Sequence, residues 1–155
     1  MDVQGFWSFS LRFYAHTAVR KACREAQDQY GLRVNVLLLG CYLAQEKASL
    51  EAADWRHAVD STDNWYQGVV LPLRASRRAL LPGPFRERIK VLELEAEQEE
   101  QQHLWAALDG LCRQPEASVA DAASANLQVL WEQVSQDPLM PECLYTLARR
   151  AENPA

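Results

Sequence analysis

Between Val34 and Ala44 the chain reads VNVLLLGCYLA, apolar on every side of a helical wheel apart from Asn35 at its start. A helix without a polar face must be wrapped by neighbours. Eleven residues also fall short of the about 20 needed to cross a bilayer. A short apolar run carries no decisive period, so a buried strand is the rival reading. The lack of any other convincing strand favours a helix. The run, continued to about residue 46, is expected to be the central helix of a bundle whose other members cover it.

The preceding segment supports this. Val19, Ala22, Cys23, Ala26 and Tyr30 fall on one face of a 3.6-residue repeat. Gly31 follows where a helix end favours a left-handed residue, since glycine has no Cβ to clash there. Gln27, Asp28 and Asn35 flank the apolar run, and two readings stay open for them. Asn35 and Asp28 cap the helix start and the turn, or all three belong to a buried polar site.

Outward from this centre, Phe6, Trp7, Phe9, Phe13 and Tyr14 make an aromatic first helix whose rings are expected in the core. Thr17 is placed to cap a second helix, with a break near residues 15–17. Ser49 is placed to cap a short helix from Leu50 to about Val59, and DSTDN (60–64) reads as a turn. Trp65, Val69, Leu73 and Leu80 mark a further helix. Pro72 interrupts it, because proline lacks the backbone donor and clashes with the turn before it; a kink or a junction of two helices is expected there. PGP (82–84) is the clearest punctuation. A long helix is expected beyond it, from about Phe85 to Leu111, with Ile89, Leu92, Ala96, His103 and Ala107 inward. Ser118 and Asp121 have capping-box spacing, opening a helix with Leu127, Leu130 and Val134 inward. A last short helix runs from Pro141 at its first position to about Arg150. The expected fold is all-α: one domain over residues 1–155, a bundle of six to eight helices around residues 34–46, fraying at about 1–4 and 151–155.

Composition narrows the function classes. The formal net charge is −5, with 21 acidic against 16 basic residues, which argues against nucleic acid as a general partner. No basic leader followed by an apolar stretch opens the chain, so no signal peptide is expected, and no membrane-spanning run is present. Cys23, Cys41, Cys112 and Cys143 are irregularly spaced without a CxxC. Cys23, Cys41 and Cys112 stand among apolar helix residues, so structural thiols in a reducing cytoplasm are expected.

Four segments, FWSFSLRFY, AQDQYGLRVNVLLLGCYLA, VVLPLRASRRALL and ELEAEQ, together resemble a small family of uncharacterised bacterial proteins. Its typical segments are FWxFxLxxY, LQDxxGxxVNxLLxxxWLA, PLRxxRxxLK and ELxAE. The resemblance covers roughly Phe6 to Leu104, in the same order and at similar spacing. Ala26 stands where the family usually has leucine, Tyr42 where it has tryptophan, and Leu81 where it has lysine. The resemblance implies a mostly helical, cytoplasmic bacterial protein and brings no activity with it.

Two constellations bear on chemistry. Arg74 and Arg77 share a helix face, as do Glu93, Glu97 and Glu100. The short PGP link makes their two helices antiparallel neighbours, so guanidinium forks are expected to meet carboxylates there, with Asp28 joining them. Such a set is either a structural ion-pair network or a site gripping an anionic ligand. The second constellation is a weak metal pattern: Glu100 to His103 is an ExxH and Asp54 to His57 a DxxH. Di-iron carboxylate bundles need two ExxH helices and a glutamate from each of two more, which this chain does not offer. No GxSxG, GxGxxG or GxxxxGK[ST] occurs, and no cofactor is indicated. The basic run from Arg74 to Lys90 reads as a solvated face, and the acidic helix around Trp105 as ordinary packing. The expected function is a non-catalytic interaction protein binding a protein partner or itself. The alternative is a ligand-binding protein or metal-dependent enzyme, with a polar site of Asp28, Asn35, Arg74, Arg77, Glu93 and Glu97.

Overall fold

The computed structural model describes all of residues 1–155. In chain order the elements are α1 (Val3–Ala15), α2 (Thr17–Tyr30), α3 (Val34–Ala44), β1 (Ala48–Ser49), α4 (Ala52–Ser61) and the single turn α5 (Asp63–Trp65). A π-helical turn (Tyr66–Val70) leads from α5 into α6 (Leu71–Ala79). Then come α7 (Pro84–Ala106), β2 (Gln114–Pro115), α8 (Val119–Glu132) and α9 (Glu142–Ala151). The fold is an all-α bundle, and no helix is long and apolar enough to cross a membrane.

α3 is the centre the sequence demands: every residue from Asn35 to Ala44 is buried. It packs against α1, α2, α7, α8 and α9. The turn before it is set by Gly31, whose φ of 69° is left-handed. The N–H groups of Gly31 and Leu32 return to the carbonyls of Gln27 and Ala26 at 3.1 and 3.2 Å, closing the end of α2. Gly40 allows α8 to come close, since a Cβ there would lie 3.3 Å from the Cβ of Asn126. Asn126 is fully buried and uses both ends of its amide. Its Nδ2 donates to the carbonyls of Gly40 (3.1 Å) and Ala48 (3.0 Å). Its Oδ1 accepts from the Leu50 N–H (3.0 Å) and from Trp55 Nε1 (3.2 Å). One side chain of α8 thereby fixes α3, β1 and α4.

Several local expectations are corrected. Ser49 does not cap a helix; it pairs with Gln114 in a two-residue antiparallel ribbon, and its Oγ donates to Glu116 at 2.6 Å. Asn126 draws Leu50 into the core, so α4 starts only at Ala52. Thr17 is the first residue of α2 rather than its cap, and Pro141 is the cap of α9 rather than its first residue. The interruption at Pro72 takes the form of the π-helical turn just before it, whose wider loop leaves room for the proline ring. The long helix ends at Ala106, and Cys112 lies exposed in the segment beyond it. Val134 is 49% exposed rather than inward. The break at His16 and the Ser118 cap, which accepts from the Asp121 N–H at 3.0 Å, stand as expected. Trp105 lies beside Phe6 and Tyr42, and Trp131 meets Tyr30 edge-on, so both indoles pack internally.

The inner face of α7 is the largest correction. Glu93, Ala96, Glu100, Gln101 and Leu104 are buried there, while Leu92 is 47% exposed. Leu92 is expected inward, with the glutamates on or beside its stripe; instead the leucine is outside and Glu93 and Glu100 themselves form the inward face. The glutamates go inside because arginines of neighbouring elements meet them, and a buried charge is tolerated only when paired.

Candidate functional site

α6 and α7, joined through PGP, lie side by side and bring the arginine and glutamate faces together. Arg77 forks onto Glu93: its Nε donates to Oε2 and its Nη2 to Oε1, the latter at 3.1 Å. Arg74, one turn earlier and 9% exposed, spreads over four partners. Its Nε donates to Glu93 Oε1 and its Nη2 to Glu97 Oε1, both at 3.3 Å. Its Nη1 donates to Gln27 Oε1 at 3.0 Å and to Tyr66 Oη at 3.5 Å. Bidentate and charge-assisted bonds of this kind are the stronger class of hydrogen bond.

A third arginine, which the sequence reading did not single out, completes the cluster. Arg33 stands just before α3 with its Nη2 3.5 Å from Glu100 Oε2. Its Nη2 also donates to Thr62 Oγ1 at 2.7 Å, its Nη1 to the Val59 carbonyl at 3.3 Å, and its guanidinium lies 4.3 Å above the Tyr66 ring. Three buried or half-buried arginines thus face three glutamates spaced along one side of α7.

An amide chain runs beside the charges. Asn35 Nδ2 donates to the Glu97 carbonyl at 3.1 Å, which makes Asn35 Oδ1 the free acceptor. Gln101 Nε2 donates to that oxygen and to Ser10 Oγ, both at 2.9 Å. Asn35 does not cap α3, whose cap position is Arg33; its amide joins this hydrogen-bonded chain instead. Asp28 does not belong to its interior: it reaches Arg78 at 3.8 Å, and both side chains are more than half exposed.

These residues surround a half-open cavity of about 210 Å³ between α1, α2, α3, α6 and α7. Asp28, Asn35, Arg74, Arg77, Glu93 and Glu97 all line it. So do Ser10, Tyr66 and Gln101, which the sequence reading missed, while Trp7, Leu38 and Leu94 supply apolar wall. Ser10 and Gln101 had no visible signal, since each looks like a neutral residue in an amphipathic helix. Arg33 had one: an arginine immediately before an all-apolar helix has to find a partner near the core.

Electrostatics follow the burial. Burial lifts the Glu100 carboxyl above its ordinary range, with Arg33 pulling it back. Burial also lifts Glu97, and the neighbouring Glu93 adds to this against Arg74. For Arg77, the hydrogen bond to Glu93 holds the pKa above its usual value. For Arg74, burial opposes the charge, but Tyr66 and Glu97 outweigh it and the pKa is raised.

The metal pattern is not assembled. Glu100 faces Arg33, whereas His103 lies 3.6 Å from Glu99 and against the edge of Trp65. Asp54 and His57 are on α4, with His57 exposed. No three His, Cys, Asp or Glu side chains are grouped to hold a metal ion.

The segments carrying the resemblance meet at this cavity. Trp7 and Tyr14 come from the first, Gln27, Asp28 and Asn35 from the second, Arg74 and Arg77 from the third, and Glu93 and Glu97 from the fourth. No curated protein and no solved structure matches the chain. The model of one family matches residues 5–104, a span that contains every residue lining the cavity. The chain belongs to that family, described as a protein of unknown function, DUF2390.

Proposed function

We propose that this chain is a non-catalytic binding protein that holds a small polar molecule in the cavity between α1, α2, α3, α6 and α7. The observation that carries the reading is the cavity itself: about 210 Å³ of space stays open in the middle of buried charged and amide groups. A set of ion pairs serving stability alone gains from closing up, because replacing such pairs with packed apolar groups is often neutral or stabilising. A concave site with apolar walls and a few convergent polar groups is the usual form of a ligand pocket. No histidine or cysteine lines it, and Glu93 is held by two arginines, which favours binding over acid–base or nucleophilic chemistry.

A second reading, binding of a protein partner or a second copy, is favoured by one separate observation. Leu81, Phe85, Val91 and Leu92 are all exposed at the end of the α6–α7 hairpin, among Arg86, Arg88 and Lys90. Phe85 and Leu92 are seven residues apart and share one face of α7, and exposed apolar side chains on one face are typical of contact surfaces. Both readings suit a reducing cytoplasm, in keeping with four unpaired cysteines.

The ligand reading is tested by a thermal-shift screen of polar metabolites against the wild type and Leu94→Trp. Leu94 lines the cavity and is 49% exposed, so the larger ring fills the space without entering the core. A ligand of the cavity raises the wild-type midpoint by mass action and loses that effect in the variant. A screen with no active compound, or shifts that persist in Leu94→Trp, overturns it.

A further inference from the structure

α7 carries one full helical seam that nothing in the chain covers. Phe85, Arg88, Leu92, Glu95, Glu99 and Gln102 recur at steps of three and four, the spacing at which two helices pack along each other. All six are exposed, and none belongs to the inward row of Glu93, Ala96, Glu100 and Leu104. Phe85 is 57% exposed and Leu92 47%, so two large apolar groups of one seam stand in water.

The charges of the seam are ordered, and the chain leaves them unpaired. Arg88 forms no ion pair; its guanidinium lies only over the Phe85 ring, at 5.9 Å. Glu95 forms no ion pair either, and Glu99 reaches only His103 of the same helix, at 3.6 Å. A cation therefore precedes Leu92 and carboxylates follow it. Reversed end to end, the seam is complementary to itself.

Building on the reading of the α6–α7 hairpin as a contact surface, we propose that this seam pairs with the same seam of a second copy. The two α7 helices run antiparallel about a two-fold axis at Leu92. Arg88 and Glu95 stand about 5 Å along the helix to either side of Leu92. The axis thus sets Arg88 of each copy against Glu95 of the other, and each pairing occurs twice. The two Leu92 side chains meet at the centre, and each Phe85 covers the turn from Glu99 to Gln102 of the other copy. A parallel arrangement sets Arg88 against Arg88 and Glu95 against Glu95, which repel. One helix face per copy is a small contact, so the dimer is weak and forms in the micromolar range.

The test is sedimentation equilibrium of the whole chain from about 1 μM to about 500 μM. The wild type should pass from monomer to dimer over this range. Arg88→Glu and Glu95→Arg should each weaken the dimer at least about tenfold, since each turns two attractions into two repulsions. Mixed in equal amounts, these two variants should recover a dimer of wild-type strength, because every charge then meets its opposite in the other chain. Leu92→Asp should weaken the dimer as well. The three positions are exposed, and thermal midpoints at low concentration check that each variant folds. A chain that stays monomeric throughout overturns the proposal and leaves the hairpin as a surface for a different protein. A dimer indifferent to either charge reversal overturns it too and moves the contact away from the hairpin. A mixture of the two variants that stays monomeric overturns the antiparallel pairing.

Discussion

Asn35 and Gln101 are joined amide to amide across the α3–α7 interface, with Gln101 Nε2 donating to Asn35 Oδ1 at 2.9 Å and both side chains out of water. This bond ties the central helix to the helix that carries the glutamates and fixes the orientation of the Gln101 amide. Asn35→Ala leaves Gln101 and the Glu97 carbonyl each short of a partner. A loss of about 1–3 kcal/mol is expected in urea unfolding, the cost of a buried polar group left unpaired. A loss below about 0.5 kcal/mol would place the amide pair in contact with solvent.

Arg74 and Arg78 stand one turn apart on the same helix with opposite surroundings. Arg74→Ala takes from Glu97 its arginine and leaves Glu93 to Arg77 alone, and a destabilisation of about 1–3 kcal/mol is expected. Arg78→Ala removes a long contact between two exposed side chains, worth about 0–1 kcal/mol. Thermal midpoints of the two variants decide this. Equal midpoints would mean the cluster is not buried in solution.

Burial raises the Glu100 carboxyl above its ordinary value of 4.5, against the pull of Arg33. The folded state therefore holds this proton more tightly than the unfolded chain does. Between the unfolded and the folded pKa, stability falls as pH rises, and above the folded value the contribution is constant. Glu100→Gln removes this dependence. The midpoint of the variant minus that of the wild type should grow as pH rises above the ordinary glutamate value. A difference that shrinks over that range contradicts the raised pKa.

Cys41 is fully buried, and burial pushes its thiol pKa up to about 12; Cys23 and Cys143 are raised by burial too. Cys112 is exposed. A thiol reagent at neutral pH should modify one cysteine per native chain, at Cys112, and four after denaturation. Rapid native labelling at Cys41 would mean that α3 is not enclosed.

What the sequence made legible follows from strong local signals. An apolar run with no polar face has one place to go, and α3 occupies residues 34–44 as read. Arginines and glutamates at helical spacing on either side of a PGP link meet because the link is too short for anything else. The failures share one cause: partners distant in sequence. Leu92, expected inward, is outside, because arginines from other elements neutralise Glu93 and Glu100 and let them take the inward face of α7, which no periodicity within α7 can reveal. Asn126 looks like a neutral residue in an alanine-rich helix, yet it satisfies groups on Gly40, Ala48, Leu50 and Trp55. Ser49 resembles a cap until Gln114 offers it a strand partner.

The central claim is that the space beside Asn35 and Gln101 receives a molecule. Side-chain amide NMR resolves it directly, because Asn126, buried on the far side of α3 with both ends of its amide satisfied, serves as an internal control. On titration with a compound that raises the thermal midpoint, the Gln101 and Asn35 amide signals should move and that of Asn126 should stay. Signals that move only along the exposed end of the α6–α7 hairpin, with Gln101 and Asn35 unchanged, would contradict the account.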